Sequence, residues 1–269
     1  MIVRKKTTSA AASAATTAST TRGTTGRGAK FEPIRVEPAY RKVAAALLDR
    51  ITTRTLNPGE RLPAEMELAR QFGVHRGTVR EALRELETNG VLKRERGSKL
   101  MMVTRPARGA IAAGVSRAMA LHDVSYHDIW EALTAIEPPI AAAAARKRKT
   151  RDLSRLELLV ARHDEGLKTA ATVEQTAEFF RAIGEATHNG VFMLAHEPML
   201  ELLVPALGAM IDQVPQAGTR IATAQRKLLA SIRAQDAAEA RDWMAKHIRD
   251  FRRGFEIARI ALDQRVGTH

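Results

Sequence analysis

The stretch LPAEMELARQFGVHRGTVREAL, residues 62–83, decides the fold of this chain. It predicts two short amphipathic helices joined by a turn at Gly73, because glycine adopts positive φ at low cost. Apolar residues at helical spacing predict the buried face of this pair: Leu68, Ala69, Val79, Ala82, Leu83 and Leu86. Arg76, Thr78 and Arg80 fall largely off that face, near the start of the second helix. The segment from Glu65 to Arg84 therefore predicts a helix-turn-helix.

The two arginines give the second helix the chemistry of a DNA reader. Residues near the start of a recognition helix contact base edges in the major groove. There a guanidinium group can pair with the N7 and O6 acceptors of guanine. The alternative is an ordinary helical hairpin with a solvated basic face, since short patterns of this kind also occur in unrelated proteins.

The flanking sequence extends the helix-turn-helix to a winged helix over residues 35–105. A helix that starts near Pro38 carries apolar residues on one face, and Asn57-Pro58-Gly59 is a strong turn signal. Residues 91–94 and 99–103 predict two short strands, and the basic segment 95–98 between them predicts a hairpin tip. The alternative for the two strands is a plain surface hairpin.

Positive charge is concentrated in the N-terminal part of the chain. The whole sequence has 43 Lys and Arg against 30 Asp and Glu, a net charge of +13. Up to Arg105 the counts are 21 and 10, whereas the remainder has 22 and 20. This asymmetry favours a nucleic-acid-binding domain joined to a nearly neutral one. Residues 1–34 predict a disordered basic tail that adds non-specific DNA contact, with an organellar transit peptide as the alternative.

The rest of the sequence predicts helices, so the fold class is mainly α. We expect a linker at 106–110, an all-helical domain for effector binding and dimerisation at 111–263, and a short tail at 264–269. The absence of cysteine excludes disulfides and thiolate metal sites. No stretch approaches the ~20 consecutive apolar residues of a membrane span. We therefore expect a cytoplasmic protein without a membrane partner.

The sequence resembles the GntR family of bacterial transcription regulators, and within it the FadR/FCD-type branch with an all-helical effector domain. The N-terminal similarity is dense and specific, and the C-terminal similarity is looser but runs to about residue 262. The segments that carry it are 56–63, Glu65, 67–69, 72–74, Arg76, 78–83, Leu86, Glu137-Pro138, 183–189, 236–241 and His247.

The resemblance implies particular DNA contacts. Arg76, Gly77, Thr78 and Arg80 become the recognition-helix contacts, and Arg96 and Gly97 become the wing tip that enters the adjacent minor groove. The sequence departs from the family at two places in this domain. Met66 stands where some relatives have a DNA-contacting arginine, and His75 replaces the usual Ser or Thr cap of the recognition helix, although an imidazole can also accept a hydrogen bond.

The effector domain departs further from the family. Many relatives hold a divalent metal with one Asp and three His, and the resemblance places Thr176, Phe180, Gln225 and His247 at those positions. We therefore expect no metal and no other cofactor. An arginine that relatives use to grip a carboxylate effector falls at Leu133. The five other histidines are expected at the surface or in caps: His122, His127, His163, His188 and His196.

These changes predict a pocket for an effector with an apolar portion. The expected pocket residues are Leu133, Thr176, Phe180, Asn189, Gln225 and His247. The alternative is a collapsed core without a ligand, because methionine, which is frequent in this domain, commonly fills cores.

The predicted function is a homodimeric, effector-controlled regulator that binds a pseudo-palindromic operator in double-stranded DNA. Regulators of this family are most often repressors, and we expect one that is associated with the bacterial nucleoid. Two alternatives remain at this point: a sequence-tolerant architectural DNA-binding protein, and an enzyme built on the helical domain. The enzyme has little support, because the sequence has no cysteine nucleophile and no glycine-rich phosphate loop.

Overall fold

The computed structural model describes residues 37–95, 97–163 and 169–267. This part of the chain forms ten helices and one antiparallel sheet of two strands, which confirms the mainly α fold. The helices and strands are α1 (Ala39–Thr52), α2 (Glu65–Phe72), α3 (Arg76–Thr88), β1 (Leu92–Arg94), β2 (Met101–Val103), α4 (Arg108–Leu121), α5 (Tyr126–Lys147), α6 (Thr150–His163), α7 (Thr169–Ala186), α8 (Gly190–Gln213), α9 (Ala217–Ala234) and α10 (Ala237–Ile257). The predicted tail over 1–34 lies outside the described residues.

The first three helices and the two strands share one buried apolar cluster. Leu47 of α1, Leu68 of α2 and Val79 of α3 all belong to it. Leu92 of β1 lies opposite Val103 of β2, and both side chains close the cluster from the sheet side. Burying a side chain of this size contributes about 1.5–3 kcal/mol. The predicted winged helix is therefore confirmed with its wing strands in place.

The turn of the helix-turn-helix depends on Gly73. Its φ is +64°, and its N–H donates to the carbonyl groups of Ala69 and Arg70, which ends α2. His75 occupies the N-cap position of α3 but makes no side-chain cap hydrogen bond. The imidazole therefore does not replace the hydroxyl cap that family members have at this position.

The remaining helices, α4 to α10, enclose a second buried cluster. In it α5 packs along α10 and α9, while α8 packs against α7 and α4. Side-chain caps start three of these helices, α5, α8 and α10, where the sequence has a suitable residue. Ser125 and Asp128 form a capping box at α5, and Asp236 accepts from two backbone N–H groups at α10.

Two boundaries differ from the sequence prediction. Helix α4 begins at Arg108, so residues 108–110 are helical and do not belong to a linker. The predicted tail packs onto the helical domain over its described part. Val266 donates its N–H to Val124 over 2.9 Å, and its side chain is 1% exposed. Burial of this valine explains why the chain does not extend away after α10.

Helix α8 is long and apolar enough, by length and composition alone, to cross a membrane, and no other helix in the described ranges meets that test. Eight of its residues are buried, from His196 to Met210, and they face α4, α7 and the core. A central core helix has the same composition, and the packing of α8 is that of a core helix.

Candidate functional site

The two arginines of the predicted recognition helix stand together on its first two turns. Arg76 and Arg80 are one helical turn apart, and both side chains are about half exposed. Gly77 is exposed between them, and Thr78 is partly buried. Because Val79 and Leu83 bury the other side of the helix, Arg76, Gly77 and Arg80 lie on its exposed side, whereas Thr78 is only partly exposed.

A carboxylate that sequence reasoning did not assign organises these arginines. Glu65, the first residue of α2, accepts from Arg76 Nε over 2.8 Å and from Arg80 Nη2 over 3.0 Å. Its side chain is 18% exposed. These hydrogen bonds, first from Arg80 and then from Arg76, lower the pKa of Glu65 to about 2. The carboxylate is therefore ionised at every physiological pH, and it fixes both guanidinium groups.

Both arginines line a groove of about 400 Å³ between α2, α3 and the wing. Three more cations line it, Arg84 from α3, Arg94 from β1 and Lys99 from the segment between the strands. Glu65 is the one acidic residue among the nine that line the groove, and Met66 is 70% exposed there. This surface can attract a polyanion and present guanidinium donors to it.

The wing tip is described in part. Gly97 has φ of +76°, a conformation that favours glycine, and its side of the hairpin is open. Arg96 lies outside the described residues. The neighbouring Glu95 accepts from Arg61 over 2.8 Å, which ties the hairpin to the segment before α2.

Three of the six predicted pocket residues line one cavity in the helical domain. Leu133, Thr176 and Phe180 lie around it, and its volume is about 30 Å³. That volume holds about one or two water molecules. The other lining residues are apolar: Trp130, Ala177, Leu200, Leu203, Val204, Leu207, Ile248, Phe251 and Phe255. The cavity is therefore small and lined almost entirely by apolar side chains.

The other three predicted residues lie elsewhere. His247 lines a second cavity of about 30 Å³, and its ring stacks on Phe180 with the centroids 5.5 Å apart. Gln225 is buried and accepts from Gln175 Nε2 over 3.0 Å. Asn189 caps α8 by accepting from the Val191 N–H, outside both cavities. Its place in the pocket was predicted incorrectly, because helix capping was not considered for it.

The donors at the four family metal positions do not suit a metal ion. Thr176 donates its hydroxyl to the Thr172 carbonyl, and Phe180 has no donor atom. Across the described ranges, no three His, Cys, Asp or Glu side chains stand close enough to hold a metal ion. One imidazole with an amide and a hydroxyl lacks the carboxylate and imidazole set that first-row metals prefer.

A buried hydrogen-bonded pair of the helical domain was also not predicted from the sequence. His196 was predicted at the surface, but it is 1% exposed, and its Nδ1 lies 3.1 Å from Oε1 of the fully buried Glu137. The imidazole lies directly over Gly184, where an added Cβ would be 2.6 Å from its Nε2. The sequence around His196 gave no signal of this contact, because its partner is 59 residues away.

Two family descriptions match the regions defined by these sites. "Bacterial regulatory proteins, gntR family" matches residues 39–100, which hold the basic groove. "FCD domain" matches residues 128–250, which hold both cavities. The chain has a GntR-family DNA-binding domain and an FCD-type effector domain. It is a DNA-binding regulator of transcription.

Similar proteins agree with membership of the GntR family. The Uxu operon transcriptional regulator of Escherichia coli strain K12 is 30% identical over 157 residues, which cover 57% of this chain and 60% of that regulator. The HTH-type transcriptional repressor NanR of the same strain is 25% identical over 228 residues, 83% of this chain and 86% of NanR. A solved GntR structure from Streptococcus agalactiae has the same fold, with a TM-score of 0.61 and 24% identity over 80% of this chain and 99% of that one. Both Escherichia coli relatives are named as transcriptional regulators.

Proposed function

We propose that this GntR-family chain is a homodimeric repressor that binds a pseudo-palindromic operator and releases it when a partly apolar metabolite binds the FCD domain. The observation that carries the proposal is the basic groove beside α3. Its two ordered arginines can read base edges, while Arg84, Arg94 and Lys99 supply charge for phosphates.

A regulator that selects a DNA site needs contacts to the phosphate backbone and contacts to the base edges. Phosphate contacts position the protein without reading sequence, and base contacts provide the selection. Arg76 and Arg80, held by one carboxylate, are suited to base reading because little side-chain freedom remains to be lost on binding. The wing, with Gly97 and Arg96 at its tip, would reach the adjacent minor groove.

A homodimer follows from the need to bind two half-sites and from the surface of the helical domain. Four large apolar side chains are exposed on two adjacent helices: Val115 and Leu121 on α4, and Val191 and Leu194 on α8. We propose that the surface of α4 and α8 that carries these side chains pairs with its copy about a two-fold axis, so that both recognition helices face one side of DNA.

The effector would occupy the region of the two small cavities. Each measures about 30 Å³, so binding must displace side chains, and the ring stack of His247, Phe180 and Phe251 is the movable boundary between them. The apolar lining favours a ligand with a hydrophobic part. The buried Gln225 Nε2 has no hydrogen-bond partner among the described residues, and an acceptor atom of the ligand would satisfy it.

The proposal also includes the absence of a resident metal. It is supported by the donor set at Thr176, Phe180, Gln225 and His247, which lacks a carboxylate. Purified protein should contain far less than one transition metal per chain, and EDTA should leave the melting temperature unchanged. About one zinc, manganese or nickel per chain would show that this part is wrong.

Repression, operator control and a place on the nucleoid are proposed by analogy with the repressor NanR and with the family. The test is selection of bound sites from random DNA with the full chain. The selected sites should show two-fold symmetry, and binding to them should exceed binding to scrambled DNA by at least about 10³-fold. A ratio near one would favour the architectural alternative. Metabolites that raise the melting temperature should also weaken binding to the selected site.

A further inference from the structure

We infer that Met66 contacts the C5-methyl group of a thymine in the major groove and so selects a T·A pair in each half-site. The inference rests on the proposed function, because it requires DNA in the basic groove. It adds a specificity-determining residue that is neither charged nor polar.

The position of Met66 places it beside the base-reading arginines. It is the second residue of α2 and directly follows Glu65, whose carboxylate holds Arg76 and Arg80. Its side chain lines the same groove as those two arginines and is 70% exposed. A duplex that meets the arginines in this groove therefore also meets the thioether.

Met66 has no packing role that would explain an apolar residue at this place. Leu68 carries the buried face of α2, and two residues along a helix correspond to a rotation of about 200°. Met66 is accordingly absent from the buried cluster of the winged helix. Among the described residues of that domain, Leu48 is the other large apolar side chain that is exposed, and it is exposed less, at 40%.

The surroundings of Met66 favour DNA as the occupant of the groove. Five cations line it, and its single carboxylate is already engaged by two of them. In the major groove the thymine methyl is the apolar feature of the base edges. A flexible, polarisable thioether adapts to such a group without requiring exact alignment.

The size of the effect follows from the area of one methyl group. Burying one such group against an apolar side chain strengthens binding about fourfold. With two symmetric half-sites, loss of both methyl groups should weaken binding by about sixteenfold.

The test uses the full chain and its selected operator, in which thymines are replaced one at a time by deoxyuridine. Affinities are measured for the wild type, Met66→Leu and Met66→Ala. For the wild type, one thymine in each half-site should show an approximately fourfold loss when its methyl is removed. Met66→Leu should retain that sensitivity, and Met66→Ala should lose it while keeping the wild-type melting temperature.

Two results would overturn the inference: no methyl-sensitive thymine for the wild type, or a sensitivity that persists in Met66→Ala. A protein partner of this surface would give the first result. Arg80→Ala, measured on the same DNA, separates this failure from a failure of the proposed function. If Arg80→Ala weakens operator binding and Met66→Ala does not alter methyl sensitivity, the thymine contact is wrong and DNA reading by α3 stands.

Discussion

Glu65 accepts hydrogen bonds from Arg76 and Arg80, so both guanidinium groups are already placed at the groove before DNA arrives. A negative charge in a basic groove weakens its attraction for phosphate. The same charge fixes the direction of the donors, which favours discrimination between bases. We therefore expect Glu65 to lower the affinity for DNA of any sequence and to raise the selectivity for the operator.

Replacing Glu65 tests this exchange. Glu65→Gln should raise affinity for scrambled DNA, because one negative charge leaves the groove, and lower the ratio of operator to scrambled affinity several-fold. The matched control is Glu67→Gln, which removes the same charge from α2 but disrupts contacts with Arg70 and Gln71. A specificity ratio that rises in Glu65→Gln, or falls equally in both variants, would contradict the assigned role.

The pH dependence of stability tests the same ion pairs. The pKa of Glu65 is about 2 in the fold, below the ordinary 4.5. The carboxylate therefore stabilises the fold above about pH 4.5, and this contribution is lost as the pH falls from 4.5 towards 2. The melting temperature of the wild type should exceed that of Glu65→Gln by a constant amount from pH 7 to pH 5, and the difference should vanish near pH 2. A difference already gone at pH 4 would show a normal pKa.

The sequence indicated that Arg76 and Arg80 are exposed near the start of α3, but it did not indicate which residues they contact. Arg76 and Arg80 were predicted from their place on an amphipathic helix, which is a local pattern. Glu65 and His196 were not, because each acts through a residue 11 to 59 positions away and only the fold brings them together. Asn189 is the opposite case, because its side chain makes a local contact, the N-cap of α8, which the sequence analysis did not predict.

Local chemistry explains why the helix-turn-helix was the most predictable element. Its apolar spacing, its glycine turn and its short length leave few alternatives, and the structure follows them. The packing of the helical domain was less predictable, because the apolar face of a helix does not show which other helices it packs against. Gly184 illustrates this, because the need for a residue without a side chain is apparent only once His196 of α8 packs over it.

Two glycines of the helix-turn-helix should respond in opposite directions to alanine. Gly73 has φ of +64°, so Gly73→Ala should destabilise the fold by about 1–2 kcal/mol. Gly77 lies in the first turn of α3 with ordinary φ, so Gly77→Ala should stabilise it by about 0.5 kcal/mol. An added Cβ meets nothing within 4 Å at either site, so packing does not obscure the comparison. Urea unfolding of the full chain measures both, and shifts of the same sign would refute the backbone argument.

In the whole molecule, the regulator joins a domain with a basic groove to a nearly neutral helical domain. The proposed homodimer would set the spacing of two such grooves. Each domain has its own buried cluster. A ligand can change operator binding only if it binds the two dimer arrangements with different affinity. The small volume of both cavities makes a shift in helix packing the expected cost of binding.

The proposed dimer surface predicts a specific loss of assembly. Leu121→Glu should convert the dimer to a monomer and weaken operator binding, because a charge would enter an apolar contact. Leu158→Glu is the control, since Leu158 is also an exposed leucine but lies on α6, outside the surface of α4 and α8. Sedimentation velocity distinguishes the two. A dimer that persists in Leu121→Glu would exclude this face.

We propose that α3 reads DNA sequence through its arginines, and the Arg80→Ala variant tests this proposal. Affinities of the full chain for its operator and for scrambled DNA are measured at physiological salt. Arg80→Ala should lose about 1–3 kcal/mol of binding free energy on the operator, with a much smaller loss on scrambled DNA. Arg70→Ala, which removes an equal charge outside the groove, should leave the ratio of the two affinities unchanged. An operator affinity that is unchanged in Arg80→Ala, or that falls equally on both DNAs, would contradict the claim.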